Sequence, residues 1–308
     1  MSIRFEGRVA IVTGAGGGLG RAHAMGLAAR GAKVVIADVG AARDGTGRSL
    51  EAAEAVVSEI AAKGGEAMAV GVDVANSTEV DVMVGRALSR FSRIDILINN
   101  AGILRDKSFA KMTAEDFRLV LDVHLMGSVN CAKAVWDAMR TQNYGRIVFT
   151  SSGSGIYGNF GQSNYGAAKT AMIGLMNVLH LEGRKHDIRV NTLAPTAGTR
   201  MTEGLVPPDI FALMTPESIT PGVLYLVSED APSRVILAAG AGTFARTLIT
   251  ETEGVYFPEA ERTPENIAAR FDEISDPAKE LEIEEAFDQT YKLVSMAAKA
   301  MGIEMPKR

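Results

Sequence analysis

One cysteine in 308 residues, Cys131, excludes an intrachain disulfide framework and suits a reducing compartment. A lone cysteine of this kind is read as a small core residue rather than a nucleophile. No apolar run approaches the roughly 18 residues a membrane span needs. Aromatic residues make up only 6% of the chain, with a single Trp136, read as core or subunit-interface packing. No block of basic residues stands out and the net charge is −5, so nucleic acid is not an expected partner. His23, His180 and His186 are scattered without ligand spacing, so no metal site is expected. The start, Met1-Ser2-Ile3-Arg4-Phe5-Glu6, lacks a secretory pattern, and Met305-Pro306-Lys307-Arg308 is not a peroxisomal tripeptide. A cytoplasmic protein is the expectation.

What the chain does have is apolar content of 47%, enough for a substantial core. It is distributed in a regular alternation. Arg8 to Thr13 reads as a buried strand, then comes Gly14-Ala15-Gly16-Gly17-Gly18-Leu19-Gly20, then a helix. Lys33 to Asp38 reads as the next strand, followed by a polar loop from Gly40 to Arg48 and a helix from Ser49 to Lys63. Glu66 to Val72, Ile94 to Ile98, Gly145 to Ser151, Ile188 to Leu193 and Val235 to Ala239 complete about seven strands. Asn76 with Glu79 looks like the capping pair of one intervening helix, and Thr113 caps a long helix through Met139. The fold class this predicts is α/β, a Rossmann-type doubly wound parallel sheet with helices on both faces. Residues 1–246 form that domain. Residues 247–308 are a C-terminal extension that breaks the alternation, with an extended stretch from Thr247 to Phe257 and a helix from Pro264 to Ile274. Its Ile283, Phe287, Tyr291, Val294 and Ala298 make an apolar stripe for packing on the domain or a subunit partner.

A glycine turn between strand and helix lets backbone N–H groups approach a pyrophosphate at the helix N-terminus. Gly14, Gly18 and Gly20 follow a G-x-x-x-G-x-G spacing, with Leu19 in the first helical turn. Asp38, at the end of the second strand, can accept hydrogen bonds from ribose hydroxyls and would repel a 2′-phosphate. That favours NAD over NADP, although Arg43 and Arg48 lie just downstream and could soften the preference. Tyr165 and Lys169 are one helical turn apart and share a face. An ammonium beside a phenol favours phenolate, which turns a side chain that titrates near ~10 into a usable acid/base. Ser152, thirteen residues before the tyrosine, can hold a carbonyl or alcohol oxygen. Gly14, Asp38, Asp73, Asn100, Ser152 and Pro195 all fall at or just past strand ends, where ligands bind in such sheets.

Thr13-Gly14-x-x-x-Gly18-x-Gly20, Asn99-Asn100-Ala101-Gly102, Ser152 and Tyr165-x-x-x-Lys169 together resemble the short-chain dehydrogenase/reductase superfamily over residues 7 to 245. Within it, residues 99–106, Val123-His124-Leu125, residues 144–147 and 154–162 resemble the (3R)-hydroxyacyl-CoA dehydrogenase domain found in peroxisomal multifunctional enzymes, also called a 17β-hydroxysteroid dehydrogenase. The hydratase and sterol-carrier domains of the eukaryotic proteins are missing from this sequence, so a freestanding bacterial relative is expected. The resemblance implies that Tyr165 is the acid/base, that Lys169 lowers its pKa and contacts the nicotinamide ribose, and that Ser152 holds the substrate oxygen, with Ser151 as the rival. It implies that Asp73 and Val74 flank the adenine, that Asn100 lines the cofactor cleft, and that Pro195-Thr196-Ala197-Gly198-Thr199 meets the nicotinamide amide. His124 stands where many members carry an asparagine that supports a relay water, and is either a relay group or a packed helix residue. Arg105 and Lys107 are either contacts for coenzyme A phosphates or a solvated loop. Substrate size is expected to be set by the loop from Thr199 to Thr215.

The implied activity is NAD-dependent oxidation of a 3-hydroxyacyl-CoA, fatty or steroid-derived, in a homodimer or homotetramer. The alternatives are an NADPH-dependent 3-oxoacyl-thioester reductase, which would carry a basic residue within Ala15-Gly16-Gly17, and a non-catalytic NAD-binding protein.

Overall fold

The structure, a computed structural model, describes residues 2–40, 47–198 and 207–306. Contacts group the chain into two compact units, Met1–Arg246 and Thr247–Arg308.

In the first unit, eight strands form one sheet: β1 (Val9–Thr13), β2 (Lys33–Asp38), β3 (Ala67–Gly71), β4 (Ile96–Asn99), β5 (Gly145–Thr150), β6 (Ile188–Thr196), β7 (Ile236–Gly240) and β8 (Thr243–Thr247). Their spatial order is β3-β2-β1-β4-β5-β6-β7-β8. The first seven pair in parallel, with Ile11 opposite Val35 on one side and Leu97 on the other. The eighth strand was not expected. Ala241 and Gly242, both at positive φ (48° and 75°), make a two-residue turn of the type that joins hairpin strands, so β8 runs back against β7. All five residues of β8 are exposed or half-buried, so it has no apolar face to signal a strand.

The helices are α1 (Gly18–Ala28), α2 (Glu51–Ala62), α3 (Ser77–Phe91), α4 (Ala114–Leu121), α5 (Gly127–Gln142), α6 (Gly153–Tyr157), α7 (Ser163–Gly183), α8 (Pro208–Leu213) and α9 (Thr220–Leu226). Strand side chains alternate between two cores. Val9, Ile11, Val35, Leu97, Ile147 and Val190 face one core with residues of α3, α5 and α7. Ala10, Val12, Val34, Ile36, Ile98 and Val148 face another with residues of α1, α2 and α9. Each fully buried Ile or Leu contributes roughly 1.5–3 kcal/mol, which is why both faces must be covered. Cys131 lies in the first core, its thiol pushed up to about 12 by burial, as a packing residue rather than a nucleophile. Trp136 packs partly buried against the same core.

The strand order reverses at β1: β2 and β3 lie to one side, β4 to β7 to the other. Such a switch point leaves a crevice at the carboxyl ends of the central strands. At the opposite end of the sheet, Asp95 has a fully buried carboxylate that accepts the Val9 N–H (2.9 Å) and pairs with Arg8 (3.2 Å) and Arg93. It locks β1 to β4 from below.

In the second unit, Thr250–Glu251 pairs antiparallel with Leu281–Glu282, short helices span Pro264–Ala269 and Phe271–Ile274, and a helix runs Ala286–Met301. Lys292 donates to the Thr252 carbonyl (2.7 Å) and pairs with Glu251. No helix among the described residues is long and apolar enough to cross a membrane.

Replacing Asp95 by Ala strands a buried N–H and removes the partner of two guanidinium groups. It is expected to cost about 3 kcal/mol in urea unfolding followed by Trp136 fluorescence, with Asp95→Asn costing less because it keeps an acceptor.

Candidate active site

The crevice is floored by a tight contact between two strand ends. Thr13, last in β1, accepts the N–H groups of Asn100 (3.0 Å) and Ala101 (3.1 Å) on its hydroxyl. The Asn100 amide donates in return to the Thr13 (3.0 Å) and Gly14 (3.2 Å) carbonyls. This approach requires glycine. A Cβ on Gly14, whose φ is +63°, would lie 2.8 Å from the Ala101 Cα, and one on Gly20 would lie 2.3 Å from the Gly14 oxygen. The backbone ladder of α1 begins with the Arg21 N–H on the Gly17 carbonyl (3.2 Å), so the amides of Gly18, Leu19 and Gly20 precede it. The glycine cradle and these amides fit a dinucleotide pyrophosphate.

Asp38 is pinned at the turn: its Oδ2 accepts the Gly16 N–H (2.7 Å) and its Oδ1 the Gly40 N–H (2.6 Å). Both oxygens retain a lone pair for ribose hydroxyls. Two residues past β3, Asp73 accepts the Ala75 N–H (3.0 Å), and the Val74 carbonyl accepts the Asn130 amide (3.0 Å) from α5. Gly127 makes that approach possible, since a Cβ there would lie 2.6 Å from Val74 Cγ2. Glu79 does not close a reciprocal capping box on α3. Asn76 caps the helix, accepting the Thr78 and Glu79 N–H groups, but the Glu79 carboxylate reaches past it to the Asp73 N–H (2.8 Å). Arg48 is engaged by Glu79 and Asp73, whereas Arg43 lies outside the described residues. At the end of β6, Ala197 is buried and the Gly198 N–H donates to the Met214 carbonyl. Thr199, with the first part of the loop expected to set substrate size, lies outside the described residues.

The chemical end of the crevice is built on α6 and α7. Lys169 is buried and its Nζ donates to the Thr150 carbonyl (2.6 Å), 5.5 Å from the centroid of the Tyr165 ring. Gly155 lets α6 close on it, because a Cβ there would lie 2.7 Å from the Lys169 Cβ. Burial drives the Lys169 ammonium down to about 7. The two adjacent serines separate cleanly. Ser151 is buried and donates to the Lys169 carbonyl (2.8 Å), while Ser152 caps α6, accepts the Ser154 N–H (3.1 Å) and lies beside the Tyr165 phenol. Tyr165 departs from the sequence expectation. Burial raises its pKa above the usual phenol value, and the Ser152 hydroxyl beside it opposes this without reversing it. The reason is that the same desolvation acts on both groups: it disfavours phenolate and discharges the ammonium expected to stabilise it.

The expected single helix from Thr113 to Met139 is interrupted by a wide turn at Asp122–Met126, between α4 and α5. Such turns recur at functional sites. His124 sits in it, edge-on to Tyr165 with ring centroids 5.2 Å apart. Its Nε2 meets the Ile103 carbonyl (2.8 Å) and N–H (3.1 Å), and its buried Nδ1 has no partner among the described residues. Burial and the Lys169 charge push His124 down to about 3. Gly102 makes room for the imidazole, since a Cβ would lie 2.2 Å from His124 Cε1.

Asn164 carries a role that sequence reading missed. Fully buried, it accepts the Tyr165 N–H (2.7 Å) and donates to the Arg105 carbonyl (3.1 Å), tying the tyrosine to the loop after β4. Its position directly before Tyr165 was the only signal. That loop is also held by Gln162 on Asp106 (2.8 Å) and by the Lys107 N–H on the Gly161 carbonyl (2.9 Å). Arg105 and Lys107 both pair with Asp116, at 3.7 and 2.7 Å. Between Ser152 and Tyr165, the aromatic rings of Tyr157 and Phe160 stand 77% and 90% exposed.

A family model described as short chain dehydrogenase matches residues 8–208. The chain is 46% identical over 280 residues to the peroxisomal multifunctional enzyme type 2 of Mus musculus, covering 89% of this chain and 37% of that protein. It is 44% identical over 272 residues to a short-chain type dehydrogenase/reductase of Mycobacterium tuberculosis, covering 88% of this chain and 95% of that protein. The chain therefore spans nearly all of the bacterial relative but less than two thirds of the multifunctional ones. Among solved structures it resembles a 7α-hydroxysteroid dehydrogenase complexed with NADH and 7-oxo glycochenodeoxycholic acid, with a TM-score of 0.70 and 29% identity over 78% of this chain and 95% of that one.

An unfolded histidine titrates at 6.5 and the folded His124 at about 3, so acidification protonates the unfolded chain first and stability falls as pH drops between those values. Between pH 7 and pH 5 the wild type should lose about 2 kcal/mol more than His124→Asn, read from urea unfolding at each pH. Parallel pH profiles would contradict the buried, neutral imidazole.

Proposed function

This chain belongs to the short-chain dehydrogenase family, and on that premise we propose that it interconverts a (3R)-3-hydroxyacyl-CoA and its 3-oxo form with NAD as the redox partner. The observation that carries the reading is the convergence of Ser152, Tyr165 and Lys169 beside the glycine turn braced by Asn100. The bound dinucleotide supplies a hydride acceptor or donor at its nicotinamide carbon. The chain supplies everything else.

Gly14, Gly18, Leu19 and Gly20 would hold the pyrophosphate, Asp38 the adenosine ribose, and Asp73 and Val74 the adenine. Lys169 would contact the nicotinamide ribose, and Ala197, Gly198 and Thr199 the nicotinamide amide. Asp38 supports NAD over NADP because a carboxylate fixed by two backbone amides cannot swing away from a 2′-phosphate. NADH in the related 7α-hydroxysteroid dehydrogenase is in keeping with that preference.

Ser152 orients the substrate oxygen by hydrogen bonding. In reduction, the raised pKa of Tyr165 keeps the phenol protonated at neutral pH, so its hydroxyl can donate to the carbonyl oxygen and give up its proton as the alcohol forms. In oxidation the phenol must first give up its proton, for which the neutral form of Lys169 is the base at hand, and the phenolate oxygen then takes the proton of the alcohol. Lys169, titrating at about 7, is poised to exchange protons with the phenol's surroundings at the working pH. The neutral His124, with Nδ1 unpartnered, can accept a hydrogen bond in the same relay.

The thioester assignment rests on the resemblance of residues 99–106 and 154–162 to the hydroxyacyl-CoA dehydrogenase domain. It is supported by the relative in mouse and by the exposed Tyr157 and Phe160 rings, which offer apolar surface in the stretch between Ser152 and Tyr165. A steroid-derived acyl group suits the same surface.

NADH formation at 340 nm with a series of (3R)-3-hydroxyacyl-CoA thioesters tests this directly. Turnover with NAD is expected, and its absence across the series removes the substrate assignment. A large preference for NADPH would favour a 3-oxoacyl-thioester reductase instead. Tyr165→Phe should lower kcat/KM by about 10³-fold and Ser152→Ala by about 10²-fold, with dinucleotide affinity retained. Equal turnover by wild type and Tyr165→Phe would sink the catalytic assignment.

A further inference from the structure

Arg48 stands next to the cofactor-selecting carboxylate without touching it. The Ser49 N–H donates to the Val39 carbonyl (3.2 Å), and a Cβ on Gly40 would fall 1.7 Å from the Ser49 oxygen, so residues 38–40 and 48–49 lie side by side. Yet the guanidinium turns to two other acids. Its Nη1 reaches both Glu79 oxygens (3.3 and 3.4 Å), and its Nη2 reaches Glu79 Oε1 (3.4 Å) and Asp73 Oδ2 (3.5 Å). Glu79 is itself anchored by the Asp73 N–H (2.8 Å) and the Asn76 amide (3.2 Å). These contacts, the backbone amide first and the guanidinium after it, hold the Glu79 carboxyl below its usual range. It is therefore charged at neutral pH.

A guanidinium at this place is chemically the group a 2′-phosphate would recruit, because it binds phosphate through paired N–H donors. We propose that Glu79 is a specificity-determining positioning residue: it holds Arg48 on the Glu79–Asp73 pair and so leaves Asp38, among the described residues, unopposed at the adenosine ribose. This inference rests on the dinucleotide site proposed above and concerns its selectivity, not its substrate. Discrimination against the phosphorylated dinucleotide then has two parts, repulsion by Asp38 and sequestration of Arg48. The second part can be removed while Asp38 stays in place.

Glu79→Gln is the informative substitution. It keeps an amide oxygen to accept the Asp73 N–H while removing the charge that binds Arg48. Isothermal titration calorimetry at low ionic strength would compare ADP with adenosine 2′,5′-bisphosphate, isomers that carry the second phosphate on the 5′ phosphate and on the 2′ oxygen respectively, on wild type, Glu79→Gln, Arg48→Ala and the double variant. Glu79→Gln is expected to bind the bisphosphate about five- to tenfold more tightly, the gain of a charge-assisted contact, with ADP affinity within about twofold of wild type. Retained ADP binding also shows that the variant is folded. Arg48→Ala alone should give no gain, and the double variant should lose it.

An unchanged preference in Glu79→Gln overturns the proposal. So does a gain that persists in the double variant, since the carboxylate would then act by its own repulsion and not through Arg48. If wild type binds ADP and NAD but the preference does not move, this inference alone fails. If wild type binds no adenine nucleotide, the cofactor site fails and this inference with it.

Discussion

The chemistry proposed for this protein depends on taking one ammonium out of water. Lys169 lies inside the domain with one carbonyl among the described residues, that of Thr150, to receive it. An isolated buried charge is costly enough that the group responds by releasing its proton more readily, and Lys169 does so, coming down to about 7. Neighbouring features serve that burial. Gly155 has no side chain because α6 must close over the lysine, and Ser151 turns inward to bond the Lys169 carbonyl and fix the helix. A lysine titrating at neutrality, 5.5 Å from a phenol ring, puts an amine that gains and loses its proton near neutral pH beside the proposed acid/base.

That pair would be idle without the scaffold that brings a dinucleotide to it. The Thr13–Asn100 contact joins the end of β1 to the end of β4 across the switch point, and so fixes the glycine turn relative to the loop that follows β4. Asn164 continues the linkage by tying that loop to the backbone of Tyr165. Each of these bonds joins a side chain to a backbone group, and together they set the spacing between the proposed cofactor end and the proposed proton-transfer end. Asp95 closes the opposite end of the same two strands, so the crevice is held from above and below.

Much of this was legible in the sequence because it rests on patterns with few physical alternatives. A buried strand followed by glycines and a helix can hardly be anything but a close backbone turn, and the strand-end positions of Gly14, Asp38, Asn100 and Ser152 follow from the alternation alone. The parts that were not legible share a cause: they depend on contacts made in three dimensions. The wide turn at His124 leaves the apolar periodicity of its helix intact, so nothing in the spacing announces it. β8 has no buried face and is defined by the two positive φ values at Ala241 and Gly242. The direction of the Tyr165 shift was misjudged because spacing gives the distance between charges but not the desolvation that acts on both. Arg48 could be identified from the sequence as a complication for NAD preference, but its capture by Glu79, thirty-one residues away, could not.

The account stands on Lys169 being a buried amine that titrates near neutrality. Selective ¹³C labelling of lysine and an NMR titration of the Lys169 Cε resonance, assigned by its loss in Lys169→Met, measures this directly. A midpoint at about 7 is the result the structure predicts, and a midpoint at the ordinary lysine value of 10.5 would contradict it.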